Sequence, residues 1–403
     1  MRRRVAALWA AFVAAHALTA WLGWVLPSQP MGDVVLVYQP WSASALSDGA
    51  VVGVTEPWVY PQLALLPMLA AQGVAAPLTG LLGAEAAYLV AWAMLVTALD
   101  LLGFAVLVGR GRSTRRNAAG WFWCAALTLL GPIALYRIDA VTVPLAVAGA
   151  VWLGARPRAG AALLAIGAWI KIWPGAVVLA AGVALRQRIA VLLTGAATTA
   201  AVIAVLFLLG ADRELLGFLG EQTARGLQIE SVAATPFLWM AVAGSASIAY
   251  SFDILTFQIR AGGADAVAAA LTPVMAVAVA GVLVIGVLSA RRGAAWQRLL
   301  PPLTLALVTA LIATNKVGSP QFQTWLFAPV ILWLVLDRAR AATPAACTLL
   351  LCALTFAVYP LTYDGLLRAD VLPVVLVTVR NILLVLLFAH SVRAILRVPA
   401  HTR

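Results

Sequence analysis

Nothing in this chain limits its fold more than a repeated pattern: continuous apolar runs of about 18–25 residues, separated by short polar breaks. Coiled as an α-helix, a run of that length spans the hydrocarbon core of a bilayer. Inside lipid only helices and closed barrels satisfy every backbone N–H and C=O. Barrel strands alternate apolar and polar residues, and these runs do not. Composition agrees, since 64% of the 403 residues are hydrophobic, only 10% are charged and the mean hydropathy is +0.99. That is too little charge to clothe a water-soluble surface. The chain is predicted to be an all-α polytopic membrane protein, with 1–403 forming one integral membrane domain.

The net charge of +12 would point to nucleic acid in a soluble protein. Here it reports topology. Most Lys and Arg fall in Arg2–Arg4, Arg110–Arg116, Arg156/Arg158, Arg186/Arg188, Arg291–Arg298, Arg338/Arg340 and Arg393–Arg403, all assigned to one side. The positive-inside rule makes that side cytoplasmic. No nucleic-acid partner is expected. The three cysteines (Cys124, Cys347, Cys352) lie within apolar runs, and the three histidines (His16, His390, His401) are scattered, so neither a loop disulfide nor a metal site is expected. Arg2–Arg4 before an apolar run resembles a signal peptide, but the run is long and no small-residue cleavage site follows, so it reads as a retained first span.

Charge parity then sets the spans. The first covers 6–27. The apolar segment 60–80 is assigned to the outer surface or a re-entrant turn, because a crossing there would put Arg110–Arg116 outside. The same argument demotes 236–250. Further spans are placed at 84–109, 117–136, 139–155, 159–171, 174–186, 189–210, 264–290, 299–314, 322–336, 344–360 and 371–392, about twelve in all, with both termini cytoplasmic in the plasma membrane. The short pair 159–171 and 174–186 turns at Lys171-Ile172-Trp173-Pro174, and half-length helices meeting at a Pro beside a charge mark a functional cavity. Two large external loops follow, 28–83 and 211–263.

The outer face is normally poor in cations, yet Arg137, Lys171, Arg225 and Lys316 are all assigned to it, each at a helix end. Asp33 ends the first span. Such a set suits a sugar carried on a lipid phosphate: Arg and Lys stabilise the charge that grows on the phosphate, and one carboxylate takes the proton of the attacking hydroxyl. Plainer readings stand beside this one. Lys171 can snorkel, Arg137 and Asp139 can pair at the surface, and Asp33 can be a helix cap. Trp41, Trp58, Trp173 and Trp325 suit an interfacial belt. Asp100 and Arg380-Asn381, inside apolar runs, would form a structural pair or line the cavity.

The motifs GDxxxxY at Gly32–Tyr38, YPxLALL at Tyr60–Leu66, YRxD at Tyr136–Asp139, the WIKIWP turn, RGLQIES at Arg225–Ser231 and above all NKVGSPQFQTWL at Asn315–Leu326 resemble glycosyltransferase family 87 in the family's order. The resemblance implies a GT-C-type bundle with extracytoplasmic loop helices, and a catalytic acid that maps onto Asp33. It implies a polyprenyl-phosphate-sugar donor, a glycolipid or lipoglycan acceptor, and transfer on the extracytoplasmic face. Mannose transferred in α-(1→2) linkage, as onto phosphatidylinositol mannosides and lipomannan, is the leading expectation; arabinofuranose from a decaprenyl phosphate is the alternative. Tyr60-Pro61-Gln62 departs from the Pro-Pro common in relatives, and no external histidine is available for any role a relative gives one.

The expected assignment is therefore an inverting transferase with Asp33 as base. Lys171, Arg225, Lys316 and Arg137 would hold the donor phosphate, while Tyr38, Tyr60, Asp139, Glu230 and Gln321 would bond sugar or acceptor. No metal or other cofactor is assigned, and metal dependence is left open. A groove beside the external helices would hold the polyprenyl tail among membrane lipids. The rival from another class is a twelve-span transporter or lipid flippase, for which Asp100 and Arg380 are the main features.

Overall fold

A computed structural model of the chain describes residues 2–47, 49–211, 213–223, 225–251 and 256–399. The side chain of Arg2, together with His401 and Arg403, lies outside the described residues. The chain divides into two compact units: Met1–Gly182 with Gln187–Gln222, and Val183–Arg186 with Thr223–Arg403.

Unit 1 opens with α1 (Arg2–Val25), a single π-turn at Val34–Tyr38 and α2 (Gln39–Ser47). A short 3₁₀ turn at Gln62–Ala64 leads into α3 (Leu65–Ala75) and α4 (Thr79–Leu82). Two long helices follow, α5 (Ala84–Val108) and α6 (Thr114–Leu130). Gly109 and Gly131, both at positive φ, end them, and the Ser113 side chain caps α6 by accepting from the Arg116 N–H. Then come α7 (Ile138–Trp152), α8 (Pro157–Ala168), α9 (Pro174–Ala184), α10 (Arg188–Leu208) and α11 (Gly217–Thr223). α7 packs on α5 and α8. A Cβ at Gly160 would stand 2.6 Å from the Gly149 carbonyl oxygen, so α7 and α8 touch backbone to backbone. Small residues permit such approach where apolar surroundings give helices no other reason to pair.

Unit 2 carries α12 (Thr235–Val242), a hairpin of β1 (Ser247–Ser251) and β2 (Thr256–Arg260), then α13 (Ala264–Arg291) and α14 (Trp296–Ala313). It continues through a 3₁₀ run at Pro320–Leu326 into α15 (Phe327–Leu336), and ends with α16 (Ala342–Phe356), α17 (Tyr363–Leu367) and α18 (Val371–Leu396). α14 is enclosed by α13, α15 and α18.

Among the described residues nine helical runs are long and apolar enough to cross a membrane: Arg3–Val25, Gln62–Leu82, Ala84–Val108, Thr114–Ala134, Arg188–Leu208, Ala264–Arg291, Trp296–Ala313, Ala342–Leu361 and Val371–Leu396. The fold is all-α apart from the hairpin, and its outer faces are apolar. Leu193, Leu208 and Val277 are 64%, 87% and 72% exposed. Exposed apolar surface on this scale is what lipid tolerates and water does not.

The spans differ from expectation in several places. α7, α8 and α9 have 15, 12 and 11 residues. At 1.5 Å per residue none reaches the ~30 Å of a bilayer core, and the run Pro320–Leu336, α15 with the 3₁₀ turn before it, is likewise among the shorter apolar helices. Conversely Gln62–Leu82, placed on the surface by charge parity, has the length and composition of a span, though 3₁₀ turns interrupt it. The demoted 236–250 is divided between α12 and β1, neither long enough to cross. The tryptophans do not form the expected belt: Trp58, Trp173 and Trp325 are buried within their units, whereas Trp21, Trp24 and Trp121 are exposed. Asp100 and Arg380 each take a partner within their own unit. Asp100 lies 3.0 Å from His16, and Arg380 bonds Glu230.

Candidate functional site

The site in unit 1 grows from the turn between α6 and α7. Gly131 and Pro132 stop α6, a 3₁₀ turn reverses the chain, and Arg137 is extended just before α7 starts. Every residue from Leu130 to Val143 is buried. The first N–H groups of a helix have no partner inside it; here the Tyr38 hydroxyl accepts from the Ile138 N–H at 3.1 Å. Asp139 falls in the first turn of α7, where the helix dipole favours an acid.

That turn sets two ion pairs two residues apart. Arg137 Nη1 donates to the Pro30 and Tyr136 carbonyls at 2.9 and 3.0 Å, and its Nε stands 3.2 Å from Asp33 Oδ2. Asp139 is fully buried, with Lys171 Nζ 3.8 Å from its Oδ2. The same ammonium lies 4.2 Å from the centroid of the Tyr60 ring, within cation–π range. Lys171 reaches this place because α8 and α9 are separated by a turn at 169–173, fastened where the Leu63 N–H donates to the Trp169 carbonyl. Trp173 Nε1 donates to the Thr142 hydroxyl, which donates to the Asp139 carbonyl, tying that turn to α7. Tyr60, Trp41 and Trp58 meet edge to face at 5.5–6.0 Å, and Tyr38 packs on Trp92.

Asp33 makes no side-chain cap hydrogen bond at the π-turn it precedes. Its side chain is 38% exposed, the one partly open acid of the two pairs. Burial pushes the Tyr38 phenol well above its ordinary value, with Tyr60 and Asp33 adding to the shift. This phenol therefore stays a neutral hydrogen-bonding group and does not serve as a base near neutral pH.

Unit 2 brings the RGLQIES and NKVGSPQF segments side by side. The Gln228 N–H donates to the Lys316 carbonyl, and the Ile259 N–H of β2 donates to the Leu227 carbonyl. At Gly318 a Cβ would sit 2.0 Å from Ser231 N, so the two backbones touch and only glycine fits. Glu230 is committed to Arg380: Nη1 bonds its carboxylate at 2.5 Å and Nη2 its carbonyl at 2.6 Å. Asn381 accepts from Arg380 and donates to the Ser231 carbonyl and the Thr235 hydroxyl. Glu230 is 4% exposed and anchors the loop to α18. Lys316 is buried, which lowers its pKa. Gln321 is buried at the start of the 3₁₀ run, and Arg225 is half-buried.

Of the expected residues, Asp33, Tyr38, Tyr60, Arg137, Asp139 and Lys171 form one contiguous set in unit 1. Arg225, Glu230, Lys316 and Gln321 belong to unit 2. Trp41 and Trp58 join the aromatic group although the sequence pointed to a membrane belt. Among the described residues no group of three or more His, Cys, Asp or Glu side chains gathers as a metal-ligand set.

The fold thus defines an all-α protein with many helices of membrane-crossing length. No family model matches the chain, and neither a curated protein nor a solved structure matches it.

Proposed function

We propose that the protein is an inverting membrane glycosyltransferase that moves a sugar from a polyprenyl-phosphate donor to a hydroxyl of a glycolipid or lipoglycan on the extracytoplasmic face. The observation that carries this reading is the pair of linked ion pairs in unit 1: a partly open carboxylate steered by a buried Arg, beside a Lys held against an aromatic ring.

Asp33 accepts the proton of the acceptor hydroxyl as its oxygen attacks the anomeric carbon. The bond from that carbon to the phosphate oxygen breaks on the opposite face, the phosphate leaves with the electron pair, and configuration inverts. A lipid phosphate is a good leaving group and needs no proton. Lys171 stabilises the charge that develops on it. Arg137, with its Nε against Asp33 and Nη1 on two carbonyls, is assigned to holding the base rather than the donor. Tyr60, Trp41 and Trp58 are candidates for the sugar ring. The sequence resemblance supports mannose in α-(1→2) linkage, with arabinofuranose as the alternative.

The test uses purified protein in lipid with polyprenyl-phosphate-mannose and a mannosylated lipid. Asp33→Asn is expected to lower turnover by about 10²–10⁴-fold, with unchanged thermal unfolding. Turnover like that of the unaltered protein would remove Asp33 as the base. Product from decaprenyl-phosphate-arabinose alone would replace mannose.

One observation favours a transporter: His16 and Asp100, 3.0 Å apart and buried between apolar helices α1 and α5, resemble an intramembrane proton carrier. Solute counterflow in liposomes without glycosyl transfer would establish that reading instead.

A further inference from the structure

A cavity of about 540 Å³ opens in unit 2 where α15 stops, α16 starts and α18 ends. Its wall carries Arg340, Arg393 and Arg397, with His390, Thr343 and Trp333. Three guanidinium groups on one small cavity repel one another. Arg393 and Arg397 draw some relief from the C-terminal dipole of α18, in whose last turn and cap they sit. Among the described residues the only ion pair on this wall is Arg340 with Asp337, at 3.5 Å and partly exposed. Positive charge therefore exceeds negative charge around the cavity.

A second feature adds to it. α16 begins behind Ala341, which supplies no side-chain cap, so the first N–H groups of a 15-residue helix meet no side-chain acceptor. Ala342 and Thr343, in that first turn, line the same cavity. A helix N-terminus, a hydroxyl and several guanidinium groups around one hollow are the chemistry that recognises phosphate. The hollow is far larger than one phosphate group. Beside it α16 and α18 expose Leu350, Leu386 and Leu396, at 51%, 58% and 57%, which suits acyl chains running down from a headgroup.

We propose that this cavity binds a phosphate group carried on a larger molecule, the headgroup of an anionic phospholipid or a soluble phosphate ester. The site shares no residue with the transferase machinery and stands whether or not transfer is demonstrated.

The experiment places the full-length protein in phosphatidylcholine nanodiscs and has two arms. In the first, phosphatidylglycerol is added and the lipid retained is counted by native mass spectrometry. In the second, pyrophosphate binding is measured by calorimetry. Each is repeated with Arg393→Gln/Arg397→Gln and with Arg291→Gln/Arg292→Gln, which alters two exposed arginines outside the cavity wall. Binding in either arm that falls about tenfold in the first variant and persists in the second is the expected result. Retained phosphatidylglycerol identifies a lipid headgroup as the source; pyrophosphate binding alone identifies a soluble ester. Should the first variant fail to fold, Arg340→Gln, in the short 3₁₀ turn between α15 and α16, supplies the same readout. Equal binding by the unaltered protein and the cavity variant in both arms, or binding in neither, overturns the proposal.

Discussion

Arg137 bonds the carbonyls of Pro30 and Tyr136 and pairs with the carboxylate of Asp33, and so fixes where the acid stands. Tyr38 supports the same turn from beneath through the Ile138 N–H. Tyr38→Phe leaves that buried N–H without an acceptor, at a cost of about 1–3 kcal/mol. A lower thermal midpoint accompanied by reduced turnover is expected; a change in neither would show the bond to be dispensable. Lys316 gives a prediction with a definite sign. Its folded pKa is below the ordinary 10.5 because burial penalises the ammonium. The unfolded chain then binds more protons between those two values, and stability rises with pH there. The penalty is present in full below the folded pKa and vanishes above 10.5. Lys316→Met should flatten this rise when thermal midpoints are compared across alkaline buffers, and an equal slope in both proteins would contradict it.

At the scale of elements, the two polar segments of unit 2 are joined by backbone as much as by side chains. Gly318 lies against Ser231, and Arg380 on α18 holds Glu230. Gly318→Ala must push the 228–231 segment away from 316–318, and the expected outcome is a large loss of folded protein after detergent extraction. A variant as stable as the parent would mean that the segments part easily. The short helices α8 and α9 show how much of an element the sequence reveals. Pro174 and the charge at Lys171 marked the break and the half length of both helices, but not whether protein or lipid encloses each. Hydropathy measures the preference of each side chain for an apolar setting, and a helix buried in protein satisfies it as well as one in lipid. The same ambiguity explains Trp58, Trp173 and Trp325: an indole at a helix end suits both a membrane interface and a packed core.

For the whole molecule, the open question of Gln62–Leu82 has a direct test. If charge parity governs, cysteines introduced at Gly49 and Thr79 in a background lacking Cys124, Cys347 and Cys352 will be labelled from the same side of sealed membranes, and one at Arg112 from the other. Opposite labelling of Gly49 and Thr79 would make the run a span. The candidate site was legible as a set of residue types, because an acid and several cations at helix ends on a face normally poor in cations are visible without coordinates. The cavity of Arg340, Arg393 and Arg397 was not, since its arginines read as ordinary topological charge and only the meeting of three helix ends makes them a site.

The sequence by itself determined the apolar helical class and the break at Pro174 before α9. These follow from the transfer preferences and backbone limits of residues close together in the chain. Only the tertiary structure decided which acid meets which basic side chain: His16 with Asp100 across 84 positions, Arg380 with Glu230 across 150. A buried charge takes whatever partner packing delivers to within a few ångströms, and nothing in its local sequence records which one that is.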